Sequence, residues 1–497
     1  MRLLPWHVAA ALVWGVGCRT EETPDTGTPR DTSAEGDTAE PIGDTGDDTA
    51  ETGDTAPAPC TVNRFAPVGT GHALPAWEGI TYTQAWGGET RDGAWRLVRI
   101  EGKPAVMIQR ADAIEDLGTT RWVAHPLTES GFAATGVDWA LPEGWVAPED
   151  GVDATDPALM ALPAGLEPPV PAVLGEAIAG TPWLADIDAN GWPDLVTYGT
   201  TGWSVYAGSA SGLAAAVPWT FPEGAPVASF DGRTDTNPDD GLEWRVLDMD
   251  GDARPDLLVQ RAAGDATVGA SRWLVHPNTG TGFGAAVEWT LPPAGGASPG
   301  VAPFLADVDG DGRPDLVSPP TARTGGPGEG ASALAWRIHR NTGTGFGAAE
   351  DWTLPEGYPD GTFARLAAST DADLAWMLRD LTGDGVPDLA VVRDAREERA
   401  ADAVGTAIWV VHPGIARADG AKGAGYIGET ISFVLPTGLP EGALASAGDV
   451  SDASPAWALL DLDTDGRLDL IVTEWRGATE EGVGETQWRV WKGECAE

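Results

Sequence analysis

One ten-residue pattern, Asp-x-Asp/Thr-x-Asp/Asn-x-x-x-Asp-Leu, stands at five places in this chain. The copies are Asp186-Ile-Asp188-Ala-Asn190-Gly-Trp192-Pro-Asp194, Asp248-Met-Asp250-Gly-Asp252-Ala-Arg254-Pro-Asp256, Asp307-Val-Asp309-Gly-Asp311-Gly-Arg313-Pro-Asp315, Asp380-Leu-Thr382-Gly-Asp384-Gly-Val386-Pro-Asp388 and Asp461-Leu-Asp463-Thr-Asp465-Gly-Arg467-Leu-Asp469. Carboxylates at positions 1, 3 and 5 converge when such a loop curls back, and glycine permits the tight turn. The position-7 carbonyl (Trp192, Arg254, Arg313, Val386, Arg467) and the Asp at position 9 complete an all-oxygen shell. Calcium, a hard cation taking six to eight oxygens, suits that set better than magnesium does. Carboxylates ~4 Å apart with no cation repel by several kcal/mol at an effective dielectric near ~20. Five loops therefore predict about five structural calcium ions, with solvated acidic turns as the alternative.

Apolar runs of strand length flank the loops, as in Leu257-Leu258-Val259 and Leu470-Ile471-Val472. An aromatic precedes each loop (Trp183, Trp244, Phe304, Trp376, Trp457) and a second Trp follows (Trp203, Trp273, Trp336, Trp409, Trp488). Then come Gly plus a large apolar residue (Leu213, Phe283, Phe346, Tyr426) and an aromatic before a proline segment (Trp219, Trp289, Trp352, Phe433). Trp accordingly outnumbers Phe and Tyr together, 23 against 9 and 5. Four short strand-like segments per unit, with first loop positions 62, 59, 73 and 81 residues apart, read as propeller blades. A sixth unit lies upstream, marked by Trp95, Trp122, Phe132 and Trp139; Arg99 and Lys103 stand in its loop and cannot ligate calcium.

The last unit lacks its outer half after Trp488-Arg-Val-Trp491. Residues 61 to about 80 resemble that half, so N- and C-terminal strands are expected to pair and close the ring, leaving no open edge. A Cys60–Cys495 disulfide would lock the seam, with two unpaired thiols as the alternative. The fold class expected is all-β: a six-bladed propeller of four-stranded blades over residues 60–497.

These motifs resemble the FG-GAP or VCBS repeat family, which includes the propeller of integrin α-chains and some fungal lectins. The resemblance covers roughly residues 60–495. It implies calcium loops on one face and ligand binding on a separate surface. Arg99 in the first loop departs from the pattern, as do six units against the seven blades of the best-known relatives.

Ahead of the repeats, Arg2, an apolar run from Leu3 to Val16, and Gly17-Cys18 resemble a bacterial lipoprotein signal over residues 1–18, although Gly15 stands where Leu is usual. Cys18 is then the lipidation candidate, and an ordinary cleaved secretion signal is the alternative. Residues 19–59 carry twelve acids and two arginines, with Ile42 the only aliphatic larger than Ala. Such a stretch cannot bury enough apolar surface to order itself, and reads as a disordered tether. An exported protein, at the cell surface or secreted, is expected.

The net charge of −46, from 76 acids and 30 bases, repels nucleic acid and anionic lipid. Membrane contact is expected only through the lipid anchor. The leading functional expectation is a monomeric, calcium-stabilised binding or adhesion module for a protein or glycan. A lectin is the alternative, using repeated Trp and His125, His276, His339 and His412, with Tyr206 and Trp491 in the equivalent places. An enzyme ranks last: no His-Glu-x-x-His and no phosphate loop is present.

Overall fold

A computed structural model describes residues 62–84, 87–90, 93–143, 145, 183–199, 202–219, 221, 234–235, 243–262, 264–292, 303–318, 335–359, 362–363, 374–396, 403–414, 425, 430–440, 442–445, 456–475 and 482–495. Every regular element among them is a β-strand. The signal-like segment, the acidic tether, Cys18 and Cys60 lie outside the described residues.

Most strands assemble into six four-stranded antiparallel meanders among the described residues. The first runs Gly93–Ile100, Lys103–Ala111, Arg121–Thr128, Val137–Ala140. The second runs Trp183–Ala185, Asp194–Gly199, Gly202–Tyr206, Val217–Trp219. The third runs Glu243–Leu247, Asp256–Arg261, Arg272–His276, Val287–Thr290. The fourth runs Phe304–Ala306, Asp315–Ser318, Ala335–Asn341, Phe346–Thr353. The fifth runs Leu374–Arg379, Asp388–Asp394, Ile408–His412, Ile431–Val434.

The sixth meander takes its strands from both ends of the chain. Ala456–Leu460, Asp469–Glu474 and Gln487–Trp491 are followed not by a later segment but by Thr70–Ala73, with His72 opposite Trp488. Val62–Phe65 pairs antiparallel with Gly493–Cys495 and touches the outer strand of the fifth meander at Arg64 and Val434. Phe65 thus stands where Leu213, Phe283 and Phe346 stand in other units.

Sequence patterning explains the order within each meander. Second strands such as Asp256–Arg261 and Asp469–Glu474 are near-continuous apolar runs buried on both faces. Outer strands bury little: in Val287–Thr290 only Trp289 is buried, while Val287, two residues before it on the same face, is exposed.

The core lies between meanders. The large residue after each Gly packs on the aromatics of the preceding unit. Phe283 meets Trp203 and Trp219 edge-on at centroid distances of 5.4 and 5.6 Å, and Phe346 meets Trp273 and Trp289 at 5.7 and 5.3 Å. Phe65 meets Trp409 and Phe433 at 5.8 and 4.9 Å. Phe132 of the first meander meets Trp488 of the sixth at 5.4 Å. Such edge-to-face pairs add about 0.5–1.5 kcal/mol each to the burial itself. The preceding glycine is forced by the close approach: a Cβ on Gly212, at φ +124°, would lie 2.2 Å from the Ala140 carbonyl oxygen. Paired carbonyls fix the indoles. Thr81 and Tyr82 accept from Trp95 and Trp488, Thr362 and Phe363 from Trp376 and Trp336, and Ala443 and Leu444 from Trp457 and Trp409. In each case one indole belongs to each of two adjacent units.

Candidate metal centres

Each Asp-rich segment links the first and second strands of its meander, so the five loops occupy equivalent places. Two residues per loop adopt left-handed backbone: position 4 (Ala189, Gly251, Gly310, Gly383, Thr464) and position 6 (Gly191, Ala253, Gly312, Gly385, Gly466). Those reversals turn successive amides inward. Asp307 accepts from the amides of Gly310, Asp311 and Gly312 at 2.7, 3.2 and 2.8 Å, and Asp380 accepts from Gly383, Asp384 and Gly385 in the same way. Asp186, Asp248 and Asp461 each hold two such amides. Position 5 caps the residue two further on: Asn190 the amide of Trp192, Asp252 that of Arg254, Asp311 that of Arg313, Asp384 that of Val386 and Asp465 that of Arg467.

The ninth-position Asp has a second task that the pattern alone did not reveal. One oxygen accepts from the amide of loop position 2: Ile187, Met249, Val308, Leu381 or Leu462. The other accepts from an amide just beyond the third strand's core: Gly208, Asn278, Asn341, Gly414 or Gly493. Asp194, Asp256, Asp315, Asp388 and Asp469 are accordingly buried. They rivet the loop to the third strand. Asn278 and Asn341, from the repeated Asn-Thr-Gly-Thr-Gly-Phe segments, donate to the Ile187 and Met249 carbonyls of the preceding unit at 2.7 and 2.8 Å.

Four loops bring three carboxylates together with all ligand oxygens within 4.8 Å of one another: Asp186/Asp188/Asp194, Asp248/Asp250/Asp256, Asp307/Asp309/Asp311 and Asp461/Asp463/Asp465. The sets differ from the uniform 1-3-5-9 arrangement expected. Asp252 stands outside the second, and Asp315 and Asp469 outside the last two; position 5 of the first is Asn190, which carries no carboxylate. Among the described residues no fifth group forms at Asp380, Asp384 and Asp388, because Thr382 replaces the position-3 carboxylate that joins the others. The position-7 residues Trp192, Arg254, Arg313, Val386 and Arg467 lie in their loops, where only their carbonyls could serve.

Burial charges these acids with unsolvated repulsion. It pushes Asp194 and Asp256 up to about 7, and Asp248, Asp380 and Asp461 up to about 6, with neighbouring carboxylates adding to it. Asp315, Asp388 and Asp469 are raised well above the ordinary carboxylate range for the same first cause. The donor set fits a hard divalent cation on one further ground. Asp309 is 5% exposed, and its Oδ1, like that of Asp463, is buried with no hydrogen-bond partner. An oxygen so placed is costly unless a cation receives it.

The Trp and His positions that suggested sugar pockets are buried. His125, His276 and His339 each donate Nδ1–H to the carbonyl of the residue after the Gly-Phe pair, Ala133, Gly284 and Gly347, at 2.8, 3.1 and 3.0 Å. Trp77 donates to Nε2 of His125, and His412 bonds the Tyr358 hydroxyl. Burial lowers His125 and His276 below the usual imidazole value, so both stay neutral. They tie strand to hairpin.

Cys495 closes the strand Gly493–Cys495 opposite Val62; its expected partner, Cys60, is among the residues not described.

An FG-GAP-like repeat profile matches residues 248–318, the third loop through the second strand of the fourth meander. No curated protein matches the chain. Among solved structures, the chain is similar to the Tc holotoxin pore of Photorhabdus luminescens (17% identity, TM-score 0.43, 87% of this chain and 15% of that one). It is also similar to an Agrocybe aegerita lectin described as recognising non-reducing terminal N-acetylglucosamine (16% identity, TM-score 0.41, 87% of this chain and 91% of that one).

Proposed function

We propose that the chain is a calcium-stabilised, closed six-bladed propeller that acts as a non-catalytic binding or adhesion module on the outside of the cell, tethered through Cys18. The observation that carries the calcium reading is the convergence of three carboxylates in four equivalent loops. Closure of the ring is inferred from contacts between consecutive meanders and between the sixth and the first, where Phe132 rests on Trp488. Thr70–Ala73 completing the sixth sheet supports the same inference. Bound calcium supplies the charge that lets buried carboxylates stay ionised; the chain's amides and the ninth-position aspartates hold the loop in shape around it. Asp186, Asp188 and Asp194, Asp248, Asp250 and Asp256, Asp307, Asp309 and Asp311, and Asp461, Asp463 and Asp465 are the residues assigned to it. The fifth loop, with Asp380, Thr382, Asp384 and Asp388, is the weakest candidate.

The binding reading rests on architecture: the Asp-rich loops and buried indoles serve stability, which leaves recognition to other surfaces of the blades. The partner is a protein or a glycan, and the chain works as a monomer. The test has two steps. Calorimetry with calcium chloride on the chelator-stripped chain is expected to show uptake of several ions. A panel of immobilised glycans and matrix proteins, screened with and without calcium, is expected to give a calcium-dependent hit. Ion uptake with no hit across the panel would leave the stability role and remove the binding role.

A further inference from the structure

The residue just after the third-strand core sorts the four convergent loops into two kinds. In the second and third meanders it is Ala207 and Pro277; in the fourth and sixth it is Arg340 and Lys492. The oxygens sort the same way. Without a base, the carboxylates of positions 1, 3 and 9 converge, in the Asp248 loop with Asp252 left out and in the Asp186 loop with no carboxylate at position 5; with one, those of positions 1, 3 and 5 do. Arg340 Nη1 ion-pairs with Asp309 Oδ2, and Lys492 Nζ with Asp463 Oδ2. Arg340 is further fixed by Glu350, 3.3 Å from its Nε, and by the face of Trp352 at 5.6 Å. The opposite oxygen of each carboxylate, Oδ1, is the buried atom with no hydrogen-bond partner. Each position-3 carboxylate is therefore half held by a resident base and half open toward its loop.

We propose that Arg340 and Lys492 are built-in counter-ions that compete with calcium for the position-3 carboxylate. They divide the loops into a tight pair, at Asp186 and Asp248, and a weak pair, at Asp307 and Asp461. The proposal rests on the calcium reading above. A cation entering a loop of the weak pair must displace a charge-assisted hydrogen bond from the carboxylate it needs. In the tight pair no base stands on Asp188 or Asp250 in that position, although Arg254 and Arg313 lie near enough to Asp250 to favour its charged form. The weak pair keeps its shape at low calcium because its own bases offset part of the charge; the tight pair depends on the ion. The chain then loads in two stages, and only the second frees a guanidinium and an ammonium.

Calcium chloride titrated into the stripped full chain tests this by calorimetry. The wild type is expected to show two affinity classes. Lys492→Ala and Arg340→Gln are each expected to tighten one site of the weak class by about tenfold, equivalent to about 1.4 kcal/mol. Ala207→Lys is expected to move one site from the tight class to the weak. Asp188→Asn and Asp309→Asn assign the stages to their loops. Unchanged weak-class affinity in both base-removal variants overturns the proposal while leaving calcium binding in place. Absence of uptake by the wild type overturns the calcium reading itself. Should Arg340→Gln fail to fold, Lys492→Ala decides alone, since that side chain is 53% exposed.

Discussion

The first meander and the other five solve the same local problem in different ways. In the first, pairing continues to the tip, with Ile100 opposite Lys103 and only Glu101 and Gly102 between them at φ 51° and 75°. Two left-handed residues make the turn whose twist suits a hairpin. In the third, the last pair is Leu247 opposite Asp256, and the whole segment 248–255 must be organised by side chains. The short turn needs no ion. The long loop gathers carboxylates, and on the calcium reading it depends on an ion. Where the other units carry acids, the first carries Arg99, which donates to the Asp461 carbonyl at 3.3 Å and to Gly102 at 2.9 Å. Burial lowers its guanidinium to about 10, which leaves it charged at neutral pH. Glu101 donates to Gly191 in the loop of the second meander at 3.0 Å. A fixed cation, Arg99, thus stands against the acidic loop of the sixth meander.

Chelation gives the largest expected difference between the two designs. With affinities near ~10⁻⁴ M and about 1 mM calcium, each loaded loop gains about 1.4 kcal/mol, so four give about 6 kcal/mol, comparable to a domain's whole stability. Excess chelator should lower the melting temperature sharply. Hydrogen exchange should show amides of the Asp186 and Asp248 loops losing protection before those of Lys103–Ala111. An unchanged melt would sink the distinction.

Within one loop, the ninth and third positions should separate. Asp256→Ala strips partners from the buried amides of Met249 and Asn278, at about 1–3 kcal/mol each, and should destabilise the protein by about 2–4 kcal/mol even in chelator. Asp250→Ala removes a ligand but leaves that rivet intact, so its effect should vanish in chelator. Denaturant melts with and without calcium measure both. An Asp256→Ala effect that vanished in chelator, as that of Asp250→Ala should, would mean that the ninth Asp is a ligand only.

A graft tests whether the turn itself is what confers independence. Replacing residues 248–255 with the Glu-Gly turn of the first meander should remove one ion from the calorimetric count. It should also cut the calcium-dependent gain in stability by about 1.4 kcal/mol. A count that stays the same would place the ion elsewhere.

The loops were legible in the sequence because five copies of one spacing carry more information than any single acid. So was the completion of the sixth meander, since Ala73-Leu74-Pro75 echoes Trp139-Ala-Leu-Pro142. Other features left no such trace. A ninth-position Asp that ligates and one that accepts amides are the same residue in the same place; only the bonds from Ile187 and Gly208 to Asp194 tell them apart. Arg340 and Lys492 lie 31 and 29 residues from their acids, across a strand pairing that local spacing does not encode. His276 and Trp273 recur like pocket residues, yet repetition marks packing between units as strongly as it marks recognition. Thr382 fits the sequence pattern as a variant of position 3, yet a hydroxyl brings no charge to the cluster.

The smallest effect concerns backbone strain, which the loops carry and the first turn largely avoids by placing Gly102 second. Thr464 holds φ at 62° at loop position 4, where three of the other loops use glycine. A β-branched residue is poorly suited to that region, at roughly 1–2 kcal/mol, and persists only because the amides gathered by Asp461 hold the loop around it. Thr464→Gly relieves the strain but adds about 0.5–1 kcal/mol of chain entropy to be lost on folding. The net gain should be about 0.5–1 kcal/mol, with the ion count unchanged. Because the strain belongs to the backbone and not to the bound ion, the gain should be the same in calcium and in chelator. A gain confined to the calcium-loaded protein would show that the loop takes this conformation only when the cation draws Asp463 and Asp465 together.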